Sequence, residues 1–556
     1  MRKLFIILIG CVAILLAGYA GYRGYGVWKN KHLISLARQF MAKSDPRNAL
    51  LCLEQVLRSN PHNVQAVRIM ADISDAAHSP SALLWRSRLV ALEPHSLDDR
   101  LALAATAIVL HDYATATNTL EGVDPPGKKT VPYLLAAGAA AALTRDPGKA
   151  QAEYLEVLKL DPQNVFAQLN LSVIRLHGTN ISEVAEARTS LQSLRYNSTN
   201  GLLRCQALRE LAVYALINHQ NNEALADSKQ LLQETNSAFQ DRLLQLNIMQ
   251  SASSADFRPT LATVQKDAAA DPAKIVELTD WETERLSPRD ALTWLTTLPS
   301  NMQTNQSVEF LTASCYSLLR DWRGLQAHIE RQNWSDIDFV RHAYLARALR
   351  GQDLNDSSKA EWELAVKGTD GQKETLVMLF RLVADWGWLT EGEDILWSIV
   401  KRYPGENWAV QSLTQILTAG GRTRSILELY SGEMKRNPTD INNKNNVAYT
   451  ALLLDAQELK PYDLAKAVYS QSPTNASYAA TYAFSLYLQG RNTEALKVMQ
   501  QLKPQELQRP DIAGYYGLIL KANGNRDNAR AYLNWSFKAR LLPEEKKLFD
   551  QAKAGL

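Results

Sequence analysis

The stretches SLYLQGRNTEALKVM, Ser485–Met499, and YYGLILKANGNRDNARAYL, Tyr515–Leu533, share one layout. Tyr482, Ala483 and Leu486 lead into Gly490, which is followed by Ala495 and Met499. Tyr516, Gly517 and Leu520 lead into Gly524, which is followed by Ala529 and Leu533. Offsets of three and four place residues on one helical face, and an interposed glycine marks a turn. Each stretch therefore reads as two helices joined by a tight turn. Small residues stand where the helices approach, and bulky ones fill the seam.

Prolines carry the same organisation along the whole chain. Pro61 and Pro94 are 33 residues apart and Pro94 and Pro162 are 68 apart, while Pro404, Pro438 and Pro473 follow at 34 and 35. Stepping back twelve, eight and five positions from the prolines gives Ala49, Leu53, Val56; Ala82, Arg86, Leu89; and Ala150, Tyr154, Val157. The stripe returns as Gly392, Leu396, Ile399 and as Ile426, Tyr430, Glu433. Proline marks where each helix must stop. Helix starts agree, because Asp45-Pro46, Ser79-Pro80, Asp146-Pro147 and Ser287-Pro288 each join a capping side chain to a proline at the first helical position. A period near 34 means a stacked array of helix pairs rather than a set of ordinary domains.

This pattern of small residue, turn glycine, alanine and bulky residue resembles the tetratricopeptide repeat family. The resemblance covers most of residues 31–540, at about one pair per 34 residues. It implies an all-α fold: an α-solenoid of stacked antiparallel helix pairs, wound as a right-handed superhelix, behind an N-terminal transmembrane helix. The expected segments are 1–30, anchor and juxtamembrane stretch; 31–236, N-terminal repeats; 237–371, divergent Trp-rich repeats; and 372–556, C-terminal repeats and cap. Within the divergent section, helices are expected over 273–284 with 289–297 and over 305–319 with 322–331. A looser repeat is the first reading there, and a separate all-helical insert is the second.

Composition agrees with an all-helical chain. No run of alternating β-branched residues reads as a strand or hairpin. A net charge of +3 on 556 residues is close to balance, so nucleic acid is not expected as a partner. The four cysteines, Cys11, Cys52, Cys205 and Cys315, include no C-x-x-C pair, which excludes a zinc ribbon or a dithiol redox motif. No H-x-x-x-H, G-x-S-x-G, Walker loop or G-x-G-x-x-G occurs. Asp336 and Asp338 read as helix-capping residues rather than metal ligands. Glu282 and Glu284, at i and i+2, point different ways on a helix and make no acid–base pair. The chain is read as no enzyme, without cofactor, metal or small-molecule substrate.

The N-terminus is a second informative feature. After Met-Arg-Lys, residues 4–22 carry no charge. As a helix they would span about 28 Å, close to the hydrocarbon thickness of a bilayer. Tyr19, Tyr22 and Trp28 stand where an interfacial aromatic belt would lie. An uncleaved signal-anchor is the first reading, and a cleaved secretory peptide with Gly18-Tyr19-Ala20 as its site is the second. Leu8-Ile9-Gly10-Cys11 has the letters of a lipoprotein box, but the apolar run before it is too short. Single-pass membrane attachment with the repeats outside the cytoplasm is the expectation.

Some family members hold a partner's terminal carboxylate with cations on successive first helices. Here the matching positions are Phe166, Leu169, Val173; Gln206, Arg209, Val213; Asn442, Asn445, Tyr449; and Ser477, Ala480, Phe484. Only Arg209 is a cation, so that clamp is absent. The candidate groove residues are Phe166, Leu169, Asn445, Tyr449, Phe484 and Tyr487, which would anchor an apolar segment of a protein partner. The competing reading packs them against the neighbouring repeat. Nine of the twelve tryptophans, Trp281, Trp294, Trp322, Trp334, Trp362, Trp386, Trp388, Trp397 and Trp408, fall within 128 residues. They read as core filling, with an aromatic contact surface for glycan or protein as the alternative. The resemblance implies a membrane-tethered scaffold for protein–protein interaction. An accessory role in envelope assembly or polysaccharide export is the alternative.

Overall fold

A computed structural model of the chain describes residues 25–77 and 79–556. The expected membrane span, residues 4–22, lies outside the described residues, as do Cys11 and the two tyrosines of the belt. Among the described residues no helix is long and apolar enough to cross a membrane. Regular structure among the described residues is helical throughout. Packing separates them into two compact units: residues up to Ser287 with Leu298–Met302, and Pro288–Thr297 with Gln303–Leu556.

Within each unit consecutive helices fold back on one another as hairpins and stack on the next pair. The first unit runs from a helix over 25–42 paired with Pro46–Ser59, through Val64–Ala76 with Ser81–Leu92, to Phe239–Ser251 with Phe257–Ala268. The second runs from Gln306–Leu318 with Trp322–Ile329 to Pro510–Ala522 with Arg526–Ser536, and closes with a single helix, Pro543–Ala554. In the divergent section the helices Pro272–Arg285, Pro288–Leu295, Gln306–Leu318 and Trp322–Ile329 fall within two residues of the expected bounds.

Each proline of the beat stands two residues beyond a helix end. The helices stop at Ser59, Leu92, Leu160, Arg402, Arg436 and Gln471. The intervening residue has φ between −123° and −149° and ψ between 68° and 86° in all six cases. The proline ring excludes the residue before it from the helical region, so the helix cannot continue. Two residues after the proline comes the N-cap of the next helix: Asn63, Ser96, Asn164, Asp440 and Asn475 each accept a backbone N–H with the side chain. Glu406 occupies the same place without capping and instead pairs with Lys373 at 3.0 Å. Helix stop and next start are thus one local unit.

The seam residues behave as their spacing requires. Ala49, Leu53, Val56, Leu89, Ala150, Val157, Leu396 and Ile399 have no measurable exposure. Burying a leucine of this kind contributes about 2–3 kcal/mol. Two stripe positions are charged and are held by partners. Arg86 bonds Asp72 and Asp75 at 2.8 and 2.5 Å, and Glu433 bonds Arg436. The repeat length also appears as polar links 29–33 residues apart: Arg68 to Asp99, Arg195 to Asp227, Arg204 to Glu234 and Arg209 to Asp241 in the first unit, and Lys373 to Glu406 and Arg422 to Glu393 in the second.

The tryptophans are mostly interior. Trp281, Trp294, Trp334 and Trp362 are buried, and Trp322, Trp386, Trp388 and Trp397 are half-buried against the core. Of the nine clustered tryptophans only Trp408, at 36%, is exposed, so they form no shared aromatic surface. In the second unit rings run in contact from Phe310 through Tyr344, Trp386 and Trp388 to Trp362, with centroids 5.1–5.9 Å apart. Burial pushes the Tyr344 phenol up to about 12. Trp322 lies so close to Gly351 that any side chain there would meet its indole at 2.4 Å.

In most pairs the turn is closed by one left-handed residue. In the C-terminal repeats it is Gly490 or Gly524, with φ of 73° and 84°. In the first unit Arg145 and His219 take the same conformation, at 63° and 58°. Left-handed backbone costs a residue with a Cβ about 1–2 kcal/mol, against about 0.5–1 kcal/mol of extra chain entropy for glycine. Arg145→Gly and His219→Gly are therefore each expected to stabilise the chain by up to about 1 kcal/mol, read as a small rise in the urea midpoint. Gly490→Ala is expected to lower it by about 1 kcal/mol, because nothing lies within 4 Å of the added carbon and only the backbone strain remains.

Candidate functional site

Three first helices of the C-terminal pairs, Ile441–Leu454, Ala476–Leu488 and Pro510–Ala522, present side chains to a common groove. Each begins at a defined place, the first two at Asp440 and Asn475 caps and the third at Pro510. This fixes which side chains face inward: Asn445 and Tyr449 from the first, Ser477, Ala480 and Phe484 from the second, Asp511 and Tyr515 from the third.

The chain's own C-terminus lies across this groove. After Ser536 the backbone turns, and Pro543–Ala554 packs on the inner side of the repeats. Leu542 joins the apolar cluster of Leu413, Leu417, Ile426 and Leu429. Thr423 donates to Glu544 at 2.5 Å, across 121 residues of sequence. Phe549 sits over Gly514, where an added Cβ would meet its ring at 2.4 Å, and edge-on to Tyr515 at 5.2 Å. The Lys521 ammonium donates to the Ala552 carbonyl at 2.7 Å. The segment therefore reaches from the pair at 407–436 to the pair at 510–536.

Its polar anchor is Glu545, which is 6% exposed. One carboxylate oxygen accepts from the Tyr449 and Tyr515 hydroxyls at 2.5 and 2.6 Å, and the other accepts from the Leu542 backbone N–H at 2.9 Å. A buried carboxylate is tolerable when donors converge on it in this way. Both phenols are pushed well above the ordinary tyrosine range. Burial is the larger cause for each; the adjacent Glu545 carboxylate adds to it, and for Tyr515 so does Tyr449. Between the segment and the three helices remains a cavity of about 230 Å³.

Of the six candidate residues, three line this cavity: Asn445, Tyr449 and Phe484. Tyr487 stacks beside Phe484 with ring centroids 6.5 Å apart. Phe166 and Leu169 lie in the first unit on the Val165–Leu176 helix. Phe166 is 50% exposed, whereas Leu169 is buried among Leu176, Leu191 and Leu203 and presents nothing to a partner in this state. Arg209, the one cation at the inner positions, forms a two-pronged pair with Asp241 at 2.5 and 2.9 Å. Asp338 is the first residue of its helix, accepts from the Trp334 N–H at 2.9 Å and pairs with Arg341 at 2.6 Å, while the helix itself has no side-chain cap. No group of His, Cys, Asp or Glu among the described residues could hold a metal ion. Cys205 and Cys315 are buried, and burial pushes the Cys205 thiol up.

Glu545, Tyr515 and Leu542 were not among the sequence candidates. The available signal was the loss of the repeat after Leu533, followed by the helix-start letters Leu542-Pro543-Glu544-Glu545.

No protein-family model matches the chain. No curated protein matches it. Among solved structures it is similar to PilW, a type IV pilus biogenesis factor, at 17% identity over 44% of this chain and 93% of that one, with a TM-score of 0.27. It is also similar to a chain of the APC/C hetero-tetramer Cut9-Hcn1, at 11% identity over 91% of this chain and 96% of that one, again with a TM-score of 0.27. Superpositions this loose identify no partner and no activity. What stands is the all-helical repeat architecture of the chain itself.

Two outcomes follow from the anchor. Tyr515→Phe removes a hydrogen bond to a charged acceptor and is expected to lower stability by about 1.5–3 kcal/mol at neutral pH. Because the folded phenols titrate above the unfolded value of about 10, their contribution is complete below that pH and is lost as pH rises beyond it. Unfolding midpoints measured from neutral pH upward should fall beyond about pH 10, and fall less steeply in the Tyr449→Phe, Tyr515→Phe double variant. In the first unit, Arg209→Ala should cost about 2–4 kcal/mol, since it strands Asp241, which is 2% exposed.

Proposed function

We propose that the chain is a non-enzymatic scaffold, tethered to a membrane through residues 4–22, whose repeat faces hold protein partners. The observation that carries this reading is the C-terminal segment in its groove. There a helix is gripped by aromatic walls, by an apolar pocket for Leu542 and by tyrosine hydroxyls on a carboxylate. These are the means by which a helical groove recognises a helix of another chain. In the first unit the exposed Phe166 supplies an unfilled anchor on a first helix. The repeats project outside the cytoplasm in this reading, and the array needs no cofactor or metal. An accessory role in envelope assembly or polysaccharide export would use the same surfaces.

The test is photocrosslinking in native membranes with the full chain. A crosslinker placed at Phe166 is expected to yield a discrete protein adduct, whereas one at Ile181, 87% exposed at the start of the paired helix, is expected to yield none above background. Equal labelling at the two positions would remove the argument for a partner-binding face. Deleting residues 4–22 should release the chain from the membrane fraction on alkaline extraction. Retention after that deletion would mean that the tether lies elsewhere.

A further inference from the structure

The first helix pair carries positive charge that the rest of the chain does not answer. Residues 25–60 hold six basic side chains, Lys29, Lys31, Arg38, Lys43, Arg47 and Arg58, against two acids, Asp45 and Glu54. Taking these six, with Arg2, Lys3 and Arg23, from the chain's 61 leaves 52 basic against 56 acidic residues over 61–556. The positive excess is therefore confined to the N-terminal end. Among the described residues the first ion pair along the chain is that of Arg68 with Glu93 and Asp99. Further on, Arg86, Arg195, Arg204 and Arg209 each hold an acid. Lys31, Arg38, Lys43, Arg47 and Arg58 are instead exposed and unpaired.

The helix over 25–42 sorts its side chains onto two faces. Ile34 and Ala37 are buried, and Leu33, Phe40 and Met41 pack beside them. Trp28, Lys31, Ser35, Arg38 and Ala42, at alternating offsets of three and four, form an exposed stripe. Aromatic rings widen that stripe. Tyr25 stacks on Trp28 and Trp28 on His32, with centroids 6.0 and 5.5 Å apart. Tyr25 and Trp28 are each 61% exposed, and Val27 is 58% exposed. Large rings left out together beside unpaired cations mark a contact surface.

Position along the chain decides what this face meets. Tyr25 follows the uncharged stretch 4–22 by three residues, so the face begins at the lipid surface wherever that stretch is inserted. Tyrosine and tryptophan favour the headgroup level, and basic side chains beside a span are drawn to anionic lipid. An acidic protein surface has no such enforced proximity.

We propose that the outer face of the first helix lies on anionic lipid headgroups of the leaflet where the span ends. Lys31, Arg38 and Lys43 make the contacts, and Tyr25 and Trp28 sit in the interface. The inference rests on residues 4–22 being the tether, and it gives the repeats a fixed footing in place of a free leash.

The full chain, carrying a photocrosslinking residue at Ala42, is reconstituted into vesicles of phosphatidylcholine alone or with about 30% phosphatidylglycerol. Ala42 is the position to read, because a helix standing upright would lift it about 26 Å above Tyr25, clear of a headgroup layer roughly 5–8 Å deep. A lipid adduct is expected in the anionic vesicles. It should fall about threefold or more in neutral vesicles, at about 0.5 M salt, and in the Lys31→Gln, Arg38→Gln, Lys43→Gln triple variant. The charge-keeping triple variant, Lys31→Arg, Arg38→Lys, Lys43→Arg, should label like the parent, and a crosslinker at Ile181 should give no lipid adduct. Equal labelling in the two kinds of vesicle overturns the proposal, as does an undiminished signal in the neutralised variant. A protein adduct in place of the lipid one in native membranes also overturns it. A failed tether reads differently, since alkali would then strip the chain from both kinds of vesicle. A chain that resists alkali yet gives no lipid adduct at Ala42 sinks this inference alone.

Discussion

A proline ring excludes the residue before it from helical backbone, and this exclusion sets where the second helix of a pair stops. Six times the helix ends two residues before a proline, the intervening residue is non-helical, and the N-cap position of the next helix comes two residues after it. Because the stop and the next cap are a few residues apart, the angle between one pair and the next is fixed locally. The apolar stripe then has only to fill the seam. Small residues at Ala49, Ala82, Ala150 and Gly392 let the paired helices close, and the larger members of the stripe complete the core.

Local chemistry of this kind is legible in a sequence. The caps at Asp45 and Asp146 accept backbone N–H groups at 3.2 and 3.0 Å as their letters require, and the stripe residues are buried. The tryptophans were legible as interior because replacing small residues with large ones leaves them nowhere else to go. Leu169 was less legible: its place in the repeat is an inner one, yet it is buried with Leu191 and Leu203 while Phe166, three residues away, is exposed. A repeat register gives position along a helix, and it does not give the helix's rotation closely enough to separate neighbours three residues apart.

The C-terminal groove was half legible for a different reason. Asn445, Tyr449 and Phe484 lie on helices whose period is intact, so the register placed them on one face. Their partners do not share the period. Glu545 reaches Tyr449 across 96 residues and Glu544 reaches Thr423 across 121, whereas links between adjacent repeats span about one period. A segment outside the repeat has no internal ruler, so only coordinates reveal which face it covers. Coverage also leaves a chamber around Asn445 with both polar and apolar walls.

An array whose contacts join only neighbouring pairs is modular: its stability is close to a sum of units and interfaces, and units can be added or removed. The first unit's links obey that rule, from Arg68 to Asp99 through Arg209 to Asp241. The closing helix breaks it in the second unit, because its anchors at Gly421, Thr423, Tyr449, Gly514 and Lys521 are spaced to fit one rigid helix. Duplicating or deleting a pair between 407 and 536 would put those anchors out of step with a segment that cannot stretch. The number of pairs between 407 and 536 is thus tied to the length of the closing helix.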